Sequence, residues 1–209
     1  MVCKMRQLLC FAVSIFLVGS VRAEKLVFVP TAVRPQLGTL RLDFLAEGAS
    51  INNRNLSLIG SFGNMYEFGF TYEKLRGKDR GDASLDLAIN LVPAIPDYGF
   101  GFTLGVVDTV GNTVRGRGFY GAATLRFNND QDINGMTPTD VTIGAGTGRF
   151  DGFFLAFRYP FTNDVRLIAE HDSHQLMGGM EIQISRDQLL RWTVRDRETF
   201  LGFSAKVAF

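Results

Sequence analysis

The chain has 209 residues, a formal net charge of +1 and 46% hydrophobic residues. This length predicts one domain, and the near-neutral charge argues against a nucleic-acid-binding protein. Both cysteines, Cys3 and Cys10, lie in the first ten residues, which leaves the rest of the chain without a disulfide, a thiolate metal site or a cysteine nucleophile.

The N-terminus has the features of a secretory signal peptide. Lys4 and Arg6 precede an uncharged run from Leu8 to Val18, and small residues up to Ala23 suit a signal peptidase. The run is shorter than the roughly 20 apolar residues that a membrane-spanning helix needs. We therefore predict a signal peptide over residues 1–23, and its cleavage would lower the net charge from +1 to −2.

A short lead-in is predicted between the signal and the first strand. Residues 24–38 contain Pro30 and Pro35 and show no sustained period, so we place them on the periplasmic side. Strands begin after Gly38, where apolar and polar residues alternate. A polar stretch from Gly48 to Arg54 is predicted as a loop.

The segment Met65 to Lys74 shows the alternation most clearly. It follows a predicted strand Asn55 to Phe62 across a Gly63-Asn64 turn. One face carries Tyr66, Phe68, Phe70 and Tyr72, and the other carries Glu67, Gly69, Thr71 and Glu73. This pattern indicates an aromatic face toward lipid and an acidic face toward a lumen.

Similar alternation continues to the C-terminus. In the last stretch, Leu201 to Phe209, every second residue is apolar, and the chain stops on an aromatic residue. We count about twelve strands, or ten if Leu189 to Arg195 is a loop, each close to the length of a tilted membrane strand. The sequence thus predicts an all-β fold, an antiparallel up-and-down transmembrane β-barrel over residues 39–209, in the outer membrane of a Gram-negative bacterium.

A secreted β-sandwich would also show alternating strands. The two folds differ in what the polar face carries, and here charges of both signs recur on it, which suits a closed lumen where they pair or stay hydrated. The predicted lumen charges are Arg41, Asp43, Glu67, Asp86, Arg126, Arg158, Arg166, Glu170, Glu181 and Lys206.

Three segments resemble the YjbH-like outer-membrane β-barrel family. They are LVPAIPDYGFGFTLGVVDTVGNTVRGRGFYGAATLRF (Leu91 to Phe127), DVTIGAGTGRFDGFF (Asp140 to Phe154) and LIAEHDS (Leu167 to Ser173). The features shared with the family are Pro93 and Pro96, Asp108 with Gly111, Tyr120, Asp140 to Gly144, and Ala169-Glu170-His171-Asp172. His171 stands where the family usually has Tyr.

This resemblance covers about Leu85 to Ile184, and family members are often longer. It implies a non-enzymatic scaffold or conduit in exopolysaccharide or other surface polysaccharide biogenesis, with outer-membrane lipid, polysaccharide and periplasmic export components as partners. It brings no catalytic residues with it.

The cluster Glu170-His171-Asp172-Ser173-His174 is the most enzyme-like part of the chain. His171 and Ser173, with Glu181 on the next strand, are candidates for the catalytic group of a lipid A-modifying esterase, because an imidazole must take the serine proton and a carboxylate must orient the imidazole. The favoured interpretation of Asp172-Ser173 is a tight turn between two strands. We predict no enzyme activity, no cofactor and no metal site.

The lumen charges also have two interpretations. The five basic residues among them form a track for an acidic oligosaccharide in a small porin-like channel, or they pair with the lumen acids and hold the barrel together. The sequence-based preference is the scaffold role, with the channel as the alternative and the esterase as a third hypothesis.

Overall fold

The computed structural model describes residues 28–33, 38–48, 50–62, 65–75, 77, 79–92, 99–114, 116–127 and 138–208. These residues form twelve strands and one short 3-10 turn, Gly148–Phe150. The strands are β1 (Thr39–Glu47), β2 (Ser50–Phe62), β3 (Tyr66–Lys74), β4 (Asp82–Val92), β5 (Gly99–Val107), β6 (Gly118–Phe127), β7 (Thr139–Gly146), β8 (Gly152–Pro160), β9 (Val165–His171), β10 (Leu176–Ser185), β11 (Gln188–Arg195) and β12 (Glu198–Ala208). None of the described segments is a helix long and apolar enough to cross a membrane.

The twelve strands form a closed barrel in which every strand pairs antiparallel with its neighbours in the sequence. The ring closes where β1 pairs with β12, from Thr39 opposite Ala208 to Glu47 opposite Phe200. We call the end at Thr39 and Ala208 the terminal end, and the end at Glu47 and Glu198 the distal end. This ring confirms the predicted up-and-down barrel and excludes the β-sandwich.

The outer face of the barrel is apolar, as the alternation predicted. Leu104 on β5 and Leu190 on β11, for example, are 45% and 44% exposed, respectively. Further large apolar side chains on this face are Leu42, Phe44, Leu56, Leu58, Phe70, Leu85, Leu87, Ile89, Leu125, Ile143, Leu155, Phe157, Leu167, Ile182, Trp192, Leu201 and Phe203. A continuous apolar exterior around a polar interior is typical of a membrane-spanning barrel.

Two strand boundaries differ from the sequence-based expectation. The predicted loop from Gly48 to Arg54 is wrong, because β2 already begins at Ser50 and pairs with Glu47 of β1. Polar residues there continue the backbone ladder, which needs no apolar side chains at the barrel rim. The segment Leu189 to Arg195 belongs to a complete strand, β11, so the count is twelve and not ten.

Small inner residues leave room for large ones from the neighbouring strand. A Cβ atom on Gly105 would lie 2.4 Å from the Tyr120 ring, and one on Gly144 would lie 2.1 Å from Phe154 Cζ. Glycine at these positions therefore lets two aromatic rings lie flat against the lumen wall.

Candidate functional site in the barrel lumen

Glu181 of β10 is the centre of a buried ion-pair network in the terminal half of the lumen. Its Oε1 accepts a hydrogen bond of 2.9 Å from Arg191 Nε and lies 2.8 Å from Arg191 Nη2. Its Oε2 lies 3.4 Å from Arg158 Nε and 3.8 Å from Arg166 Nη1. One carboxylate with no exposed surface is therefore shared by three guanidinium groups.

Asp140 of β7 extends this network along the wall. Arg126 donates two hydrogen bonds to it, from Nε to Oδ1 at 2.7 Å and from Nη2 to Oδ2 at 2.9 Å. Arg158 Nη1 donates a third to Oδ2 at 3.3 Å. Arg158 therefore links Asp140 to Glu181, while Arg166 donates to the side chain of Gln183.

The seam between β1 and β12 adds a further pair. Arg41 Nε donates to Asp43 Oδ2 at 2.8 Å, and Ser204 donates to Asp43 Oδ1 from the other strand. Lys206 follows on the inner face of β12 and lines a small pocket together with Arg41.

We call this set of lumen side chains the cationic cluster. Its members are Arg41, Asp43, Arg126, Asp140, Arg158, Arg166, Glu181, Arg191 and Lys206. Among these described residues, six cationic side chains stand against three carboxylates. The pocket between Arg41, Arg166 and Lys206 has a volume of about 20 Å³. The local charge excess makes this half of the lumen attractive to anions.

Acidic side chains occupy the opposite wall. Glu67 of β3 and Asp86 of β4 both line a cavity of about 30 Å³. Asp86 Oδ1 also accepts a hydrogen bond of 2.9 Å from the backbone N–H of Asp108 at the end of β5. Charge of opposite sign on facing walls creates a field across the lumen.

Residues 28–33 lie inside the barrel and fill its distal half. Glu170 Oε2 accepts hydrogen bonds from the backbone N–H groups of Phe28 at 2.9 Å and Val29 at 3.2 Å. Thr124 Oγ1 accepts one from the N–H of Ala32 at 2.9 Å. Val29 and Ala32 have no exposed surface. We call residues 28–33 the lumen segment.

Apolar contacts hold the lumen segment on two sides. Val29 packs in one cluster with Val107, Ala122, Phe150, Phe154, Ala156 and Ile168, and Phe28 packs in another with Leu45, Met177 and Phe200. The guanidinium carbon of Arg195 lies 5.4 Å from the centroid of the Phe28 ring, within cation–π range.

This position corrects the predicted lead-in. Residues 24–38 were expected outside the barrel on the periplasmic side, but residues 28–33 of this range lie in the lumen. The reason is the apolar character of Phe28, Val29, Ala32 and Val33, which are buried against the inner wall. The predicted signal peptide, residues 1–23, lies outside the described residues.

The ten predicted lumen charges all lie on inner faces of strands. Arg41, Asp43, Arg126, Arg158, Arg166, Glu181 and Lys206 belong to the cationic cluster, whereas Glu67, Asp86 and Glu170 lie nearer to the lumen segment. Arg191 and Asp140 were missing from the predicted set. Alternation with Leu190 and Trp192 indicates that Arg191 faces inward, but the sequence pattern left open whether Leu189 to Arg195 is a strand or a loop.

The enzyme-like residues do not form a catalytic group. His171 is exposed at the distal end of β9, opposite Leu176. Glu181 lies five residues further along β10, about 17 Å away at the rise of a strand, and is paired with arginines. Asp172 Oδ1 accepts hydrogen bonds from the N–H groups of His174 at 3.2 Å and Gln175 at 2.8 Å, which confirms the tight turn.

Asp108 has the geometry of a turn residue. Its carboxylate accepts hydrogen bonds from the backbone N–H groups of Gly111, Asn112 and Thr113 and from the Thr113 hydroxyl, at 2.7 to 3.0 Å. Burial raises the pKa of Asp108, but the hydrogen bonds from Thr113, Asn112 and Gly111 outweigh it and hold the pKa below its ordinary value of 3.8.

The fold and the lumen together define a closed twelve-stranded β-barrel with an apolar exterior and a charged, partly filled interior. This architecture is similar to two solved structures of the KdgM porin, one free and one in complex with disordered oligogalacturonate. The TM-scores are 0.52 and 0.50, the sequence identity is 11% in both cases, and each alignment covers 82% of this chain and 99% of the porin. At this identity the likeness concerns the fold.

No family model matches the chain, and no curated protein matches it. The resemblance to the YjbH-like family therefore rests on the three sequence segments alone.

Proposed function

We propose that the protein is an outer-membrane channel for acidic oligosaccharides. The observation that carries this proposal is the cationic cluster, in which six basic side chains stand against three carboxylates along one part of the lumen wall, while Glu67, Asp86 and Glu170 lie elsewhere in the lumen. A structural ion-pair network alone needs no excess of one sign. An excess favours passage of solutes of the opposite sign.

The membrane location is supported by the exterior of the barrel. Leucine, isoleucine and phenylalanine side chains surround it, and the charges of the cationic cluster point inward. In water, this exterior would be an exposed apolar surface much larger than the apolar patches that soluble monomers carry.

Acidic sugars suit the cluster chemically. Arginine binds carboxylates with paired, directional hydrogen bonds, and the Asp140 pair with Arg126 already shows this geometry in the lumen. A uronate carboxylate entering from the terminal end would meet Arg41 and Lys206 at the pocket they line. The likeness in fold to a porin solved with oligogalacturonate supports the same substrate class.

Ion selectivity in planar bilayers tests the charge argument. We expect anion selectivity in a salt gradient, and Lys206→Glu should shift the reversal potential toward cations because it inverts a lumen charge. Lys74→Glu is the matched control, since Lys74 lies on β3 on the face opposite to the lumen-lining Glu73. Equal shifts in both variants, or cation selectivity of the wild type, would contradict the proposal.

Flux into liposomes tests the substrate class. Oligogalacturonate should enter faster than an uncharged oligosaccharide of the same length, and Lys206→Glu should reduce this preference. If both sugars enter at the same rate, the lumen is a general pore and the acidic-sugar assignment is wrong.

A scaffold role in surface polysaccharide production, which the YjbH-like resemblance implies, stays a prediction. Deleting the gene and finding unchanged extracellular polysaccharide would count against it. For the esterase hypothesis, the separation of His171 from Glu181 removes the arrangement that it requires.

A further inference from the structure

We propose that the lumen segment is a displaceable plug that closes the barrel, and that its departure opens the path for the acidic oligosaccharides. This inference rests on the proposed channel function. It adds a closed state and names the residues that maintain it.

The position of the segment accounts for closure. Val29 and Ala32 are completely buried in the ring of strands, and Phe28 is nearly so. The cavity left beside Pro30 and Thr31 measures about 30 Å³, room for about one water molecule. A cavity of this size does not admit an oligosaccharide beside the segment.

The way in which the segment is held makes departure feasible. The hydrogen bonds from Phe28, Val29 and Ala32 end on wall side chains, Glu170 and Thr124, and not on the backbone ladder of the barrel. The strands that form the wall remain paired to each other without it. Val33 forms an isolated bridge, but the twelve pairings between the strands of the ring do not include the segment, so its removal leaves them in place.

The anchoring groups also fit a sugar in place of the segment. Glu170 and Thr124 accept hydrogen bonds from the N–H groups of the segment, and the hydroxyl groups of an oligosaccharide are donors of the same kind. Buried acceptors that lose their donors are costly, so a ligand that supplies new donors favours the open state. The carboxylates of an acidic sugar would then meet the cationic cluster in the terminal half of the lumen.

A disulfide can lock the segment to the wall. Ala32 N lies 2.9 Å from Thr124 Oγ1, so Ala32→Cys with Thr124→Cys is the candidate cross-link, and thiol titration after oxidation verifies that the bond has formed. The matched control is Ser57→Cys with Thr71→Cys, whose hydroxyl oxygens are 3.2 Å apart on neighbouring strands. This second disulfide joins wall to wall and leaves the segment free. A chain that begins at Glu24 contains no other cysteine.

Bilayer conductance of these variants and of a chain lacking residues 28–33 tests the plug. We expect the chain without 28–33 to conduct at least about tenfold more than the oxidised Ala32–Thr124 pair. Reduction of this pair should raise the conductance to at least that of the wild type, because the Thr124 hydroxyl that anchors the segment is also gone, and oxidation of the wall-to-wall pair should have no effect.

The unfavourable outcomes are distinct from each other. If the chain without 28–33 conducts no more than the wild type, the segment does not block the lumen. If oxidation and reduction of the Ala32–Thr124 pair give equal conductance, the segment is fixed and is not a displaceable plug. If no variant conducts in any state, the channel function itself is wrong, and the plug is overturned with it.

Discussion

Removing the carboxylate of Glu181 tests the energetic importance of the cationic cluster. Glu181→Gln preserves the size of the side chain and leaves Arg158, Arg166 and Arg191 facing each other without their shared counter-charge. Removing one partner of a buried ion pair costs about 3–5 kcal/mol. Glu181 has no exposed surface and three guanidinium groups within 3.8 Å, so we expect a loss within this range.

A rim ion pair provides the control. Glu198 lies 3.8 Å from Arg195 at the distal end, and its side chain is 39% exposed. Exposed pairs contribute about 0.2–1 kcal/mol, so Glu198→Gln should lower the free energy of unfolding by no more than that.

Urea unfolding from lipid vesicles measures both variants. The only tryptophan of the chain, Trp192, lies on the outer face of β11 and reports when its surroundings change from lipid to water. The slope of the unfolding free energy against urea concentration should be equal for the two variants, because both expose the same surface when they unfold. If the free energies of unfolding of Glu181→Gln and Glu198→Gln differ by less than about 1 kcal/mol, the buried network contributes little to stability and the reasoning fails.

Three further predictions use the same unfolding assay. Gly144→Ala should cost about 1–3 kcal/mol, because its Cβ would lie 2.1 Å from Phe154 Cζ, whereas Gly178→Ala should be tolerated, because its Cβ would lie 3.8 Å from the carbonyl oxygen of Ile168. Leu104→Arg on the outer face should cost about 2–4 kcal/mol in a bilayer, and no loss would refute the lipid contact. The pKa of Asp108 is lowered in the folded state, so its contribution to the free energy of unfolding is present above pH 3.8 and is lost as the pH falls through that lowered pKa. The difference in unfolding free energy between the wild type and Asp108→Asn should therefore shrink in acid. A difference that stays constant with pH would contradict this.

The barrel and the direction of its side chains could be predicted from the sequence because membrane strands alternate with a strict period of two. In β3, Tyr66 and Glu67 already identify the outer and the inner face, and the structure agrees. The ring is closed because an open sheet edge in lipid would leave backbone hydrogen-bonding groups without partners.

The interior was less predictable, because alternation gives the face of a residue and not its partner. Arg158 on β8 pairs with Glu181 two strands away, and this depends on the register of the whole sheet. The lumen segment was missed for another reason: Phe28 to Val33 has no period, and burial inside a ring cannot be distinguished from a free end by pattern alone.

The seam between β1 and β12 joins parts of the chain that are far apart in the sequence. Ser204 and Asp43, which share a hydrogen bond across it, are separated by 161 residues. Such distant pairing carries the largest entropic penalty of any contact in the ring, so it is expected to form late in assembly. Until then both outermost strands present unpaired backbone, and the folding polypeptide depends on protection from aggregation up to the moment of closure.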